Sequence, residues 1–143
     1  MNIDGHTKMY CLIGSPVGHS GSPAMYNYSF DRLGINSAYL AYDVPLEKTG
    51  EAVAALRLLG CGGFNVTMPC KTEVTKYLDR LSPACELIGA SNCVVVECGE
   101  GYAFYQVDKG LVLVQTGMDS GEVLHRLISD EADTQNIYDA FVE

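Results

Sequence analysis

Four short polar clusters carry the side chains that can do chemistry. In Ser20-Gly21-Ser22-Pro23, two hydroxyls stand two residues apart just before a helix start. Together with the free N–H groups of that helix end they can hold a carboxylate or phosphate. Plain N-capping by Ser22, with Ser20 exposed, accounts for the same residues. In Asn65-Val66-Thr67-Met68-Pro69-Cys70-Lys71, a strand ends in Asn and Thr and a helix opens with Lys in its first turn. The helix dipole disfavours a cation there, and the same field eases loss of its proton, which suits Lys71 to proton transfer. A solvated surface lysine is the plainer account. Gly89-Ala90-Ser91-Asn92 is a polar element ahead of a strand, and Asp108 lies just past the next strand. A carboxylate near Lys71 can hold its ammonium and accept from a substrate hydroxyl. Asp108 reads equally well as a turn or cap residue.

These clusters need a frame, and the apolar runs between them supply one. Met9 to Ile13 reads as a buried strand running into a loop that ends at Ser22, the N-cap of a helix with Pro23 in its first turn. Met25, Tyr26, Ser29, Phe30 and Leu33 recur at helical spacing up to Gly34. Ala38–Val44 is a second strand, Glu47–Leu59 a second helix, and Cys61–Val66 a third strand. Pro69 opens a helix to about Leu81, and Ser82-Pro83 starts a shorter one to Ile88. Asn92–Glu97, a turn at Gly99-Glu100-Gly101, and Tyr102–Val107 make a hairpin. The order β-α-β-α-β-α-α-β-β predicts an α/β domain, a three-layer α-β-α arrangement on a mostly parallel mixed sheet with one antiparallel hairpin. In such sheets ligands gather outside the carboxyl ends of the strands.

Composition removes other classes of function. The chain has 143 residues, room for one domain with a real core. A net charge of -9 argues against non-specific nucleic-acid binding and against an anionic membrane surface. Met1–Met9 lacks the apolar segment of a signal peptide, and no apolar run approaches a membrane span, so the cytoplasm is the expected location. Six cysteines without a Cys-x-x-Cys pair read as reduced thiols, and the scattered His6, His19 and His125 give no zinc site. The expected division is a domain over 1–110 followed by an acidic, partly helical tail over 111–143.

The clusters together, in this order, resemble the shikimate dehydrogenase family. Gly14 through Pro23 is similar to its opening loop, Asn65 through Lys71 to its Asn-Val-Thr-x-Pro-x-Lys, and Gly89 to Asn92 to its Gly-Ala-x-Asn. Gln106-Val107-Asp108-Lys109 stands where the family has Asn-Thr-Asp-Gly. The resemblance runs from about Met9 to Gly110. It implies that Ser20 and Ser22 bind the shikimate carboxylate, and modestly favours shikimate over quinate. It implies further that Thr67 and Asn92 bind ring hydroxyls and that Lys71, paired with Asp108, moves the proton. The implied reaction is the reversible NADPH-dependent reduction of 3-dehydroshikimate to shikimate.

Two departures stand out. Val107 replaces the family's Thr hydroxyl, and Lys109 can compete with Lys71 for Asp108. A glycine-rich dinucleotide turn is missing: Gly60-Cys61-Gly62-Gly63 follows a helix, and Gly99-Glu100-Gly101 is a hairpin turn with Phe104 where Gly is needed. The expectation is the substrate-binding part of such an enzyme, truncated, with no Rossmann domain and no NADP site of its own, acting as a homodimer or with a cofactor domain on another chain. The alternative is a catalytically silent module that binds a shikimate-like acid or dimerises.

Overall fold

The run Met9–Ile13 contains no charged side chain and is followed by Gly14, so as a strand it can be covered on both faces. In the computed structural model, which describes residues 1–97 and 100–104, it forms the inner part of β1 (Lys8–Gly14), buried from Tyr10 onward. Its side chains alternate. Cys11 and Ile13 enter one apolar cluster with Val53, Leu56, Phe64, Val66 and Val74. Tyr10 and Leu12 enter another with Val17, Tyr26, Phe30 and Tyr39. Two cores on opposite faces of one sheet make the three layers.

The elements that follow are α1 (Ser22–Arg32), β2 (Ser37–Asp43), α2 (Thr49–Leu58), β3 (Gly63–Val66), α3 (Cys70–Glu73), β4 (Arg80–Leu81), α4 (Pro83–Ile88), β5 (Cys93–Glu97) and β6 (Glu100–Phe104). The sheet order is β2-β1-β3-β5-β6-β4. β1 pairs in parallel with both β2 and β3, and β4 pairs in parallel with β6. β5 and β6 form the expected hairpin, and β5 also runs antiparallel to β3. The chain leaves β1 for β2 on one side and returns to β3 on the other. The order therefore reverses between β1 and β3, with α1 supplying Tyr26 and Phe30 to one face and α2 supplying Val53 and Leu56 to the other.

Several local expectations give way. The helix from Pro69 reaches only Glu73, continues as a 3-10 turn over Val74–Tyr77, and yields to β4. β-branched Thr72, Val74 and Thr75 favour helix poorly, and pairing with β6 recruits Arg80 and Leu81. Ser22 is the first helical residue of α1 and not its cap; Gly21 holds that position. The hairpin is tighter than expected, because Glu97 already pairs with Glu100 and Gly101 with Val96. By contrast Ser82 caps α4 as a serine should, its hydroxyl accepting the Cys85 N–H at 3.2 Å. The strand residues 105–107 and the tail 111–143 lie outside the described residues.

One clamp ties the far edge down. Asp79 accepts the Gly101 N–H at 2.7 Å and pairs with Arg57 at 2.9 Å, while the Arg57 guanidinium also donates to the Tyr77 carbonyl at 2.6 Å. The Gly101 N–H first, and Arg57 beside it, hold the Asp79 carboxyl below its ordinary range.

Candidate functional site

The sheet order reverses between β1 and β3 and the loops leaving their carboxyl ends lead to opposite faces, the position where open α/β sheets form a ligand crevice. Two backbone bonds stitch its floor. Thr67 N–H donates to the Ile13 carbonyl at 2.9 Å, and Ser15 N–H donates to the Met68 carbonyl at 3.0 Å. Both loops contain a cis peptide bond, Ser15-Pro16 and Met68-Pro69. Gly14 lies against the second loop so closely that a Cβ there would overlap Thr67 Cγ2 and come within 2.9 Å of the Met68 carbonyl oxygen.

One wall is the segment from Pro16 to Ser22. Buried Val17 anchors it in the Tyr26–Phe30–Tyr39 cluster, and the Val17 carbonyl accepts the Ser20 N–H at 3.0 Å. Ser20 Oγ accepts the Ser22 N–H at 3.2 Å, so it is Ser20 that satisfies a helix-entry donor. Both serines are half-buried.

The other wall is Thr67 to Lys71 with Ser91 and Asn92. Cys70 N–H donates to the Thr67 carbonyl at 3.0 Å, and Cys70, wholly buried, sets the start of α3. The Lys71 carbonyl accepts the Ser91 N–H at 2.9 Å, and the Asn92 carbonyl accepts the Val66 N–H at 2.9 Å. β5 begins where β3 ends because the two are antiparallel, which is why a residue preceding a strand joins residues that follow one. β6 ends at the same edge, with Phe104 opposite Cys93. Asp108 lies outside the described residues. Among the described residues the Lys71 ammonium has no carboxylate partner.

Below this edge lies a neutral hydrogen-bonded layer that the motifs alone did not reveal. Tyr39 Oη donates to Asn65 Oδ1 at 2.8 Å, and Asn65 Nδ2 reaches the Asn92 carbonyl at 3.4 Å. Asn27 on α1 brackets Tyr39, accepting its N–H at 2.8 Å and donating to its carbonyl at 2.9 Å. Burial pushes up the Tyr39 and Tyr26 phenols, and burial with neighbouring Cys85 pushes the Cys93 thiol up to about 12, so all three stay uncharged at neutral pH. The signal was present in the sequence as an amide inside the otherwise apolar strand Gly63–Val66, a position where a polar group needs partners.

The arrangement therefore joins the segments of Thr67, Lys71 and Asn92 through backbone bonds, and Ser20 and Ser22 lie on the segment that leaves the neighbouring β1. It offers hydroxyls and an amide to a polyol, and an ammonium to an oxygen that gains or loses a proton. No group of His, Cys, Asp or Glu among the described residues is placed to hold a metal ion. No described helix is long and apolar enough to cross a membrane. The five described cysteines are buried.

Residues 12–94 match the family model of the shikimate dehydrogenase substrate binding domain. A shikimate dehydrogenase (NADP(+)) of Streptococcus uberis is 43% identical over 119 residues, which is 83% of this chain and 40% of that protein. Among solved structures, a shikimate 5-dehydrogenase from Listeria monocytogenes in complex with shikimate and NAD superposes with a TM-score of 0.70 at 44% identity, covering 72% of this chain and 36% of that one. The shikimate 5-dehydrogenase of Thermus thermophilus in complex with NADP(H) and shikimate gives a TM-score of 0.66 at 35% identity, over 68% of this chain and 37% of that one. The chain spans about two fifths of the length of the relatives it matches.

Proposed function

From its membership of the shikimate dehydrogenase family, to which this chain belongs through the substrate-binding domain, we propose that the crevice between β1 and β3 binds shikimate and 3-dehydroshikimate. The observation that supports this reading is that the serine-bearing segment after β1 and the Thr67–Lys71 segment after β3 are bonded to each other where the strand order reverses, with Ser91 and Asn92 bonded to the latter. Ser20 and Ser22 receive the carboxylate. Thr67 and Asn92 receive ring hydroxyls. Lys71, with Asp108, serves the oxygen at the reacting carbon.

The chemistry fits those roles. A hydride leaves a carbinol carbon only as its hydroxyl proton also leaves, so a proton acceptor must touch that oxygen. Lysine can alternate between donor and acceptor at that atom, and arginine cannot at neutral pH. In the reaction named for the relatives, NADP(+) accepts that hydride. The two turns that border the crevice do not make a dinucleotide grip. The turn from β1 to α1 has Gly14, Gly18 and Gly21, but not at Gly-x-Gly-x-x-Gly spacing, and the turn from β3 to α3 carries Thr67, Met68 and Pro69 and no glycine. The part assigned to this chain is therefore to hold the acid and to move the proton.

Titration of the 143-residue chain with shikimate by calorimetry tests the reading. A half-enclosed ligand is expected to bind near the millimolar range, about -4 kcal/mol. Ser20→Ala combined with Ser22→Ala is expected to remove most of that binding, whereas Lys71→Arg retains most of it. A double serine variant that binds as tightly as the parent overturns the carboxylate assignment.

A further inference from the structure

We propose that Tyr39 is a positioning residue for this crevice, fixing through its hydroxyl which way the Asn65 amide faces and thereby where Asn92 stands. The inference rests on the reading that Asn92 meets the ligand. A primary amide has two ends of nearly equal shape and opposite hydrogen-bonding character, so only its partners decide its orientation. The Asn92 carbonyl can only accept, which requires Asn65 Nδ2 to face it. Oδ1 then points at Tyr39, which must donate.

Tyr39 is suited to hold that bond. It is fully buried, and its ring stacks on Tyr26 with centroids 4.3 Å apart and planes 15° apart. Its backbone N–H and carbonyl are both taken by the Asn27 amide, so α1 fixes the residue from behind. The restraint passes from α1 through β2 and β3 to the residue that precedes β5. Without the hydroxyl, the ring and its packing remain, but Asn65 Oδ1 loses the Tyr39 donor and the amide, with the Tyr26 phenol still beside it, can turn over. Its oxygen would then meet the Asn92 carbonyl oxygen, and the two repel. The Asn92 segment must shift away, with the Val66 N–H still bonded to its carbonyl.

The test compares the parent chain, labelled with nitrogen-15, with Tyr39→Phe. Ser29→Ala serves as a stability match, since it removes another buried hydroxyl bond, to the Met25 carbonyl at 2.8 Å, that lies within α1 itself. Tyr39→Phe is expected to move the side-chain amide resonances of Asn65 and the backbone amide of Asn92, and to weaken shikimate binding about tenfold, the equivalent of one hydrogen bond of about 1.4 kcal/mol. Ser29→Ala is expected to leave those resonances in place and binding within about twofold of the parent. Unmoved Asn65 and Asn92 resonances in Tyr39→Phe overturn the proposal, and so does unchanged affinity where the parent binds. If the parent shows no shikimate binding at all, the functional reading fails, and the resonances of the free chain still decide the positioning role. Should Tyr39→Phe not fold, the parent decides: a slowly exchanging Tyr39 hydroxyl proton with a cross-peak to the Asn65 amide supports the proposal, and a hydroxyl proton lost to water refutes it.

Discussion

Replacing Gly14 by alanine puts one methyl where β1 hands over to the serine wall. The new Cβ overlaps Thr67 Cγ2, stands 2.9 Å from the Met68 carbonyl oxygen and 3.2 Å from the Thr67 carbonyl carbon. The threonine methyl can rotate aside. The two backbone atoms cannot, because Thr67 N–H is bonded to Ile13 and the Met68 carbonyl to Ser15 N–H. Crowding of this kind costs about 1–3 kcal/mol, and φ of +156° at Gly14 adds roughly 1 kcal/mol for a residue with a Cβ. Reduced freedom of the unfolded chain returns at most about 1 kcal/mol. The net expectation is a loss of about 1–3 kcal/mol, read as a lower urea midpoint at unchanged slope. Shikimate affinity at a temperature where both forms are folded should fall at least as far as for loss of the Thr67 contact alone, since Thr67 itself is displaced. A variant within about 0.5 kcal/mol of the parent, with unchanged affinity, would refute the claim that the two loops are in contact through this glycine.

Two further outcomes follow from the buried polar groups. Tyr26 Oη is buried with no hydrogen bond of good geometry among the described residues, the Asn65 amide lying beside it, so Tyr26→Phe should leave stability within about 1 kcal/mol of the parent, a smaller loss than for Tyr39→Phe. A melting temperature lowered by several degrees would show that the phenol has a partner. The Asp79 carboxyl is held below its ordinary range, so it binds fewer protons in the folded chain than in the unfolded one. Its contribution is present above the unfolded value near 3.8 and is lost as pH falls through the lower folded value. Asp79→Asn should therefore cost about 1 kcal/mol at neutral pH and nearly nothing in strong acid, measured by urea unfolding across that window. An equal cost at both ends rules the clamp out as the cause.

What could be read from the sequence was whatever the chain declares locally. Met9–Ile13, Ala38–Val44 and Asn92–Glu97 are apolar runs bounded by Gly, Pro or polar residues, and each is a strand within a residue or two. Pro23 and Gly34 bracket α1, and Ser82-Pro83 opens α4. What could not be read is what distant pairing decides. Nothing at Arg80-Leu81 announces a strand; β6, some twenty residues later, makes it one. The antiparallel placement of β5 beside β3 brings Asn92 to Thr67, and no local pattern encodes it. Tyr39 and Asn65 lie 26 positions apart, so Tyr39 looked like an ordinary strand residue and nothing local joined it to the motif's Asn65. Ser20, Ser22, Thr67, Lys71 and Asn92 could be named as candidates because they fall in contiguous motifs, while Asp108 lies outside the described residues.

The two walls of the crevice leave the sheet toward opposite faces, one core formed with α1 and the other with α2 and α3. They are joined by the backbone bonds of Thr67 to Ile13 and of Ser15 to Met68, by the contact of Gly14 with Thr67, and by the Tyr39–Asn65–Asn92 chain of hydrogen bonds. Substitutions on the two sides of this seam are therefore expected to couple rather than add, as residues of one hydrogen-bond network do. Selection acting on one wall then acts on the other as well.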